Sequence, residues 1–137
     1  LWTIEFLSKV TEKLNSQGYL ITYSSSAAVR KTLRNLGLEI FTIKPSLNNR
    51  NFWSQGTVAI SKFDKNKLEP NFNFEKLSLM EEEHLLTKAS IPYRDQDLNS
   101  SKDDIIKKRL DEQLFSDLLS TNKWREKWGM TKLSVKS

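Results

Sequence analysis

The stretch LWTIEFLSKVTEKLNSQGYLITYSSSAAVRKTLRNLGLEIFTIKP, residues 1–45, decides the fold. Thr3 is a suitable helix cap, and the apolar residues after it recur at helical spacing until Gly18. Residues 19–23 are β-rich and lie between that glycine and a serine cluster, which is typical of a buried strand. A second apolar helical stripe and a second strand at residues 39–43 follow. The order helix, strand, helix, strand predicts an α/β domain.

The stretch GTVAIS, residues 56–61, predicts a third strand. Consecutive strands joined by a loop pair most easily as antiparallel neighbours, whereas strands separated by a helix are suited to run parallel. We therefore expect a mixed sheet with an antiparallel strand near its edge. Because a parallel α/β sheet carries its nucleotide-binding turn after its first strand, we expect residues 1–63 to be the second half of such a domain.

The remaining residues, 64–137, predict a polar and mainly helical C-terminal extension. Ser78 is expected to open a short helix within residues 77–88, and residues 103–119 have the spacing of a longer one. Trp124 and Trp128 lie one helical turn apart, which predicts an amphipathic end that docks on the body of the protein. We expect the lone histidine, His84, to lie at the surface.

Composition restricts the classes of site and partner. The 22 basic and 17 acidic residues give a net charge of +5, which suits either a polyanionic partner or an ordinary lysine-rich surface. With no cysteine and one histidine, we expect no disulfide and no metal site. No apolar run has the length of a membrane span, so we expect no membrane partner and a cytoplasmic location.

The strongest local candidate for a site is the turn at Tyr23, Ser24 and Ser25, because ligands of open α/β sheets bind beyond the carboxyl ends of the strands. The alternative is that these serines only cap a helix. One turn later, the cations are either phosphate ligands or a solvated helix face; they are Arg30, Lys31 and Arg34.

A second candidate is the loop that contains Lys44, Arg50, Phe52 and Trp53, where a ring is available to stack on a nucleobase or to cover the core. The sequence contains no glycine-rich G-x-G-x-x-G loop, no P-loop and no nucleophile paired with a base. A non-enzymatic α/β module that binds RNA or another partner therefore stays open as an alternative, with Arg30, Arg34, Arg50 and Trp53 as its contacts.

Several motifs resemble one family of bacterial tRNA methyltransferases, the stand-alone enzymes that complete 5-methylaminomethyl-2-thiouridine at the wobble position. The motifs are Leu1-Trp2-Thr3, GYLITYSS at residues 18–25, AVRKTL at residues 28–33, GTVA at residues 56–59 and the EEEH to IPYRD tail at residues 81–95. The match rests on the order of these motifs and covers residues 1 to 95.

The resemblance implies a class I, Rossmann-like fold that uses S-adenosylmethionine to methylate the aminomethyl nitrogen of that uridine in the tRNA anticodon. It implies that the donor loop and the catalytic acid lie before Leu1, so that this chain is inactive alone and its partners are the tRNA and the missing N-terminal half of the domain. Trp2 matches the substrate-side motif, and Tyr23, Ser24 and Ser25 match the mouth of a strand. Arg30 matches the first basic position of the family helix, and Lys31 replaces its usual second arginine.

Overall fold

The computed structural model describes residues 2–14, 19–43, 56–61, 74–96 and 99–129. These residues form four strands, five α-helices and one short 3-10 helix. In chain order they are α1 (Ile4–Glu12), β1 (Tyr19–Thr22), α2 (Ala27–Asn35), β2 (Leu38–Ile43), β3 (Gly56–Ser61), β4 (Phe74–Lys76), α3 (Leu79–His84), the 3-10 helix Lys88–Ser90, α4 (Lys102–Phe115) and α5 (Thr121–Lys127).

The strands form one sheet in the order β1-β3-β2-β4, and every neighbouring pair is antiparallel. The strands β1 and β2 run in the same direction, as the intervening helix predicted, but β3 lies between them. The predicted antiparallel pairing of β2 with β3 is confirmed, with Ile40 opposite Ala59. The predicted α/β class is also confirmed. The antiparallel strand that the sequence placed near the edge is β3, which lies inside the described sheet; the strand at that edge is β4, whose three residues the sequence pattern did not reveal, and the described pairs are all antiparallel instead of mixed.

The first half of the chain forms its helices where the caps and apolar spacing predicted them. The Thr3 hydroxyl accepts a hydrogen bond of 3.1 Å from the Phe6 amide, which fixes the start of α1. The apolar face of α2 packs on β2 and β3, and α1 packs on α2. Buried side chains of both helices join the core with residues of the C-terminal part. This core cluster contains Leu7, Ala27, Val29, Leu33, Leu38, Ile40, Ala59, Leu77 and Leu85.

The first residue of β3 lies where only glycine fits without a shift. A Cβ on Gly56 would lie 2.3 Å from the backbone oxygen of Thr22 and 3.1 Å from the Ile43 side chain. Gly56 therefore allows β3 to enter the narrow space between β1 and β2.

The C-terminal part begins its helices as predicted and ends one of them early. The hydroxyl of Ser78 and the carboxylate of Glu81 form a reciprocal capping box at α3. The predicted helix over residues 103–119 ends at Phe115 instead. The reason is that Leu119 pairs with the segment before the 3-10 helix, where its carbonyl accepts a 2.9 Å hydrogen bond from the Lys88 amide.

The predicted docking of Trp124 and Trp128 is confirmed. The Trp124 ring is 2% exposed, stacks on His84 at 4.1 Å and donates a 2.9 Å hydrogen bond to the Met80 carbonyl. The indole of Trp128 donates to Glu83 at 2.8 Å. The surface position predicted for His84 is therefore wrong, because the Trp124 ring covers its imidazole. The proposed domain boundary at residues 63–64 lies outside the described residues.

In the part of the chain that the structure describes, no helix is both long enough and apolar enough to cross a membrane.

Candidate functional site

The turn between β1 and α2 is held rigidly by β3 while it presents an aromatic ring to solvent. The Thr57 hydroxyl donates a 2.7 Å hydrogen bond to the Ser24 carbonyl, and the Ser24 amide donates to the Thr22 hydroxyl at 3.1 Å. The Tyr23 side chain between them is 94% exposed. Because the backbone on both sides of this ring is fixed, the ring is displayed at a defined place beyond the end of β1.

The serines of this turn differ in their relation to the start of α2. Ser26, not Ser24 or Ser25, is the cap residue of α2, and its side chain makes no capping hydrogen bond. The Ser24 hydroxyl accepts a 3.3 Å hydrogen bond from the Ser26 amide. The interpretation of these serines as helix caps is therefore met only by the position of Ser26, and their role toward a ligand stays a prediction.

Trp2 precedes α1 and is the second exposed aromatic residue among the predicted site residues. Its side chain is 41% exposed and meets Phe6 edge to face, with 6.2 Å between ring centroids. The flanking Thr3 is buried and caps α1, so the backbone at this point is anchored. Trp2 therefore extends from a fixed helix start onto the surface of the described fold.

Arg30 does not reach solvent, although the sequence suggested that it grips a phosphate. Its side chain is 0% exposed, and its guanidinium donates to Glu81 at 2.6 Å, to the Thr57 hydroxyl at 2.8 Å and to the Gly56 carbonyl at 2.9 Å. Burial lowers the pKa of Arg30, and the Glu81 charge opposes that change. With its donors directed at these acceptors, Arg30 joins α2, β3 and α3 instead of facing a ligand.

The other two cations of α2 differ from each other. The Arg34 guanidinium forms a two-pronged pair with Glu82 at 2.7 and 2.8 Å, which raises the pKa of Arg34 and lowers that of Glu82. Lys31 is half-buried, and its charge helps to lower the pKa of Glu82. Lys31 is therefore the predicted basic residue of α2 whose ammonium is least committed to a defined partner among the described contacts.

The second predicted site cannot be placed. Lys44, Arg50, Phe52 and Trp53 lie outside the described residues, as does Leu1.

The comparisons with known proteins agree with this geometry. Residues 1–57 match the family model of S-adenosyl-L-methionine-dependent methyltransferases. This segment is therefore similar to that methyltransferase family. It contains α1, β1, α2 and β2, together with the Tyr23 turn and Trp2. The family resemblance read from the motifs is thus confirmed.

Two proteins are similar over most of the chain. A crystal structure of MnmC2 from Aquifex aeolicus matches 83% of this chain with a TM-score of 0.64 and 30% sequence identity, and the match covers 33% of that protein. An uncharacterized protein of Methanocaldococcus jannaschii is 29% identical over 127 residues, which are 90% of this chain and 33% of that protein. The chain therefore spans about a third of the length of the relatives it matches.

S-adenosylmethionine is the methyl donor of this methyltransferase family. The described residues do not fit this donor, because the class I fold holds it at a glycine-rich turn that follows the first strand. The glycines in the described residues are Gly37, Gly56 and Gly129; Gly37 ends α2, Gly56 lies inside the sheet, and Gly129 follows α5. We therefore assign no donor-binding residue and no transfer step to the described residues.

Two structural features of the described residues escaped the sequence reasoning. One is the burial of Arg30, for which a signal existed: Arg30 lies three residues before Leu33 on the apolar side of α2. The other is the stacking of His84 on Trp124, for which no local signal existed because 40 residues of chain separate the two rings.

The environment of His84 suppresses its protonation. Burial lowers its pKa from 6.5 to about 4, with further opposition from the positive charges of Arg30 and Arg125 and a smaller raising effect from Glu81. A neutral imidazole is therefore the form that packs against Trp124 in the folded protein.

We expect His84 to lower the free energy of unfolding in acid. Because the unfolded chain takes up a proton near pH 6.5 and the folded chain only near pH 4, the stability from the neutral ring is present above pH 6.5 and is lost as pH falls toward 4. The expected loss is roughly 1–3 kcal/mol, since the ring is not fully buried. Urea unfolding of the wild type and of His84→Phe at several pH values measures it. An equally steep pH dependence in the variant would contradict this origin.

Proposed function

We propose that this chain forms the substrate-facing part of a tRNA methyltransferase that methylates the aminomethyl nitrogen of 5-aminomethyl-2-thiouridine at the wobble position. The match of residues 1–57 to the S-adenosyl-L-methionine-dependent methyltransferase family carries the proposal. Similarity to MnmC2 over 83% of the chain supports the choice of substrate class. The cytoplasmic location stays a prediction.

In this proposal the exposed Tyr23 ring stacks on a base of the anticodon. Stacking suits a ring that is 94% exposed and anchored by its backbone, because its surface is available without any rearrangement. Ser24 and Ser25 offer hydroxyls beside it, Lys31 supplies a charge for a phosphate, and Trp2 supplies a second aromatic surface. Arg30 and Arg34 are left out of this role, because their guanidinium groups are engaged by Glu81 and Glu82.

We further propose that the missing N-terminal part of the domain covers the free side of β1 and supplies the donor site and the catalytic acid. Among the described strands, β1 pairs with β3 and has no strand on its other side. Tyr19 and Ile21 of this strand are 46% and 44% exposed, and Phe6 of α1 is 48% exposed. An uncovered strand edge beside apolar side chains favours pairing with a further strand. By this proposal the 137-residue chain does not methylate tRNA by itself.

The alternative of a non-enzymatic RNA-binding module receives less support. It relies on four residues, of which Arg30 is buried and Arg34 is paired with Glu82. Arg50 and Trp53 lie outside the described residues.

A photo-crosslink tests where the wobble base lies. An anticodon stem-loop with 4-thiouridine at the wobble position, irradiated with this chain, is expected to crosslink to the tryptic peptide of residues 14–30 through Tyr23. Tyr23→Ala is expected to remove this crosslink and to weaken binding about 5- to 100-fold, which corresponds to about 1–3 kcal/mol for one stacked base.

The matched control is Tyr19→Ala, which changes the same residue type on the same peptide at the opposite end of β1. It should leave the crosslink in place. Equally strong crosslinks from stem-loops that carry 4-thiouridine at other positions would favour the non-enzymatic module, and a wobble crosslink outside residues 1–30 would overturn the assignment.

A further inference from the structure

Arg109 in α4 forms hydrogen bonds to the chain segment that precedes this helix. Its guanidinium donates to the Ile91 carbonyl at 2.7 Å, to the Ala89 carbonyl at 3.0 Å and to the Tyr93 hydroxyl at 3.2 Å. Its central carbon lies 4.4 Å from the centre of the Tyr93 ring. A planar fork with five donors suits this set of acceptors, whereas a lysine ammonium has no equivalent geometry.

This segment, residues 89–95, is in turn bonded to the start of α1. The Tyr93 carbonyl accepts a 2.9 Å hydrogen bond from the Ile4 amide, and Tyr93 forms a parallel bridge with Thr3. The Asp95 amide donates to the Glu5 carboxylate at 2.9 Å. The segment therefore joins α4 to the first residues of α1, although about 100 residues of sequence separate the starts of these two helices.

The start of α1 determines where Trp2 points. Thr3 is 4% exposed and is held both by its bridge to Tyr93 and by its cap bond to the Phe6 amide. Trp2 is the next residue toward the N-terminus and is half exposed. A change in the 89–95 segment must therefore move the backbone from which the Trp2 ring extends.

We propose that Arg109 is a positioning residue, which acts through residues 89–95 to fix the Trp2 ring on the surface. The benefit for catalysis rests on the proposed function, in which Trp2 supplies a second aromatic surface for the anticodon. In this view the C-terminal extension has a task at the substrate site without touching the substrate. A rigid start of α1 holds the aromatic surface in place before RNA arrives.

Fluorine NMR of the whole chain labelled with 5-fluorotryptophan tests this directly, with Trp2→Phe used to assign the Trp2 signal. Arg109→Gln is expected to shift or broaden the Trp2 signal and to leave the Trp124 and Trp128 signals in place. Arg109→Lys, which keeps the charge and loses the fork, should give a smaller change in the same signal. Lys107→Gln, an exposed change in the same helix, should alter none of them.

An unchanged Trp2 signal in Arg109→Gln would overturn the proposal. Equal changes in the Trp2, Trp124 and Trp128 signals of Arg109→Lys would also overturn it, because they would show that the substitution disturbs the packing of the whole fold and not the position of Trp2 alone. If Arg109→Gln fails to fold, Arg109→Lys decides by the same criterion. Adding the anticodon stem-loop to the wild type tests the proposed function separately: a Trp2 signal that responds to Arg109 but not to RNA would reject the substrate role of Trp2 and keep its positioning.

Discussion

Arg30→Met is expected to lower the free energy of unfolding by about 3–5 kcal/mol, because it leaves a buried carboxylate without its cation. The Glu81 side chain is 8% exposed and accepts a 2.6 Å hydrogen bond from Arg30. The variant also removes the donor that satisfies the Gly56 carbonyl at 2.9 Å. Urea unfolding followed by circular dichroism measures the loss.

Arg34→Met is the matched control for this prediction, since it removes a second arginine–glutamate pair from the same helix. Both partners of that pair are more than a third exposed, so the expected cost is below about 1 kcal/mol. The double variant Arg30→Met with Glu81→Gln removes the buried charge and keeps an oxygen for the capping box. It should recover a large part of the loss, and a double variant as unstable as Arg30→Met would show that the charge is not the cause.

The second large effect is expected for Trp124→Ala. The indole is 2% exposed, stacks on His84 and donates to the Met80 carbonyl. Removal of a buried tryptophan side chain costs about 3–5 kcal/mol when the surroundings do not collapse into the space. Because α5 contributes a single buried side chain to the body, we expect the loss to appear as undocking of this helix.

Hydrogen exchange measured by mass spectrometry distinguishes undocking from global unfolding. In Trp124→Ala the peptides of α5 should exchange much faster, while those of β2 and β3 keep their protection. Trp128→Ala is the control in the same helix, since it loses the hydrogen bond to Glu83 from a half-buried ring. Unchanged protection of α5 in Trp124→Ala would contradict the view that this side chain anchors the helix.

The helices and strands were predictable because the sequence features that specify them lie within each element. The caps at Thr3 and Ser78, the apolar spacing of α1 and the β-rich run of β3 each act within a few residues. The family that residues 1–57 resemble was also recognisable, because the order of its motifs lies along the chain.

The site was predictable only in part. The turn at the end of β1 was predicted within one residue, because strand ends can be read from the sequence; the predicted strand included Tyr23, whereas β1 ends at Thr22. The burial of Arg30 was not predicted. Whether a cation on a helix is buried depends on which distant segments of the chain pack against it. Its partner Glu81 is 51 residues away, in an extension predicted to be a separate polar element.

The sequence by itself thus determined the α/β class, the positions of its main elements and the family that its first 57 residues resemble. Only the tertiary structure decided that β3 lies between β1 and β2, that Arg30 is buried and that Arg109 reaches the start of α1. The physical reason is the separation along the chain over which each interaction acts. Caps and apolar periodicity act between neighbours in the chain, whereas burial and the pairing of charges depend on residues that only folding brings together.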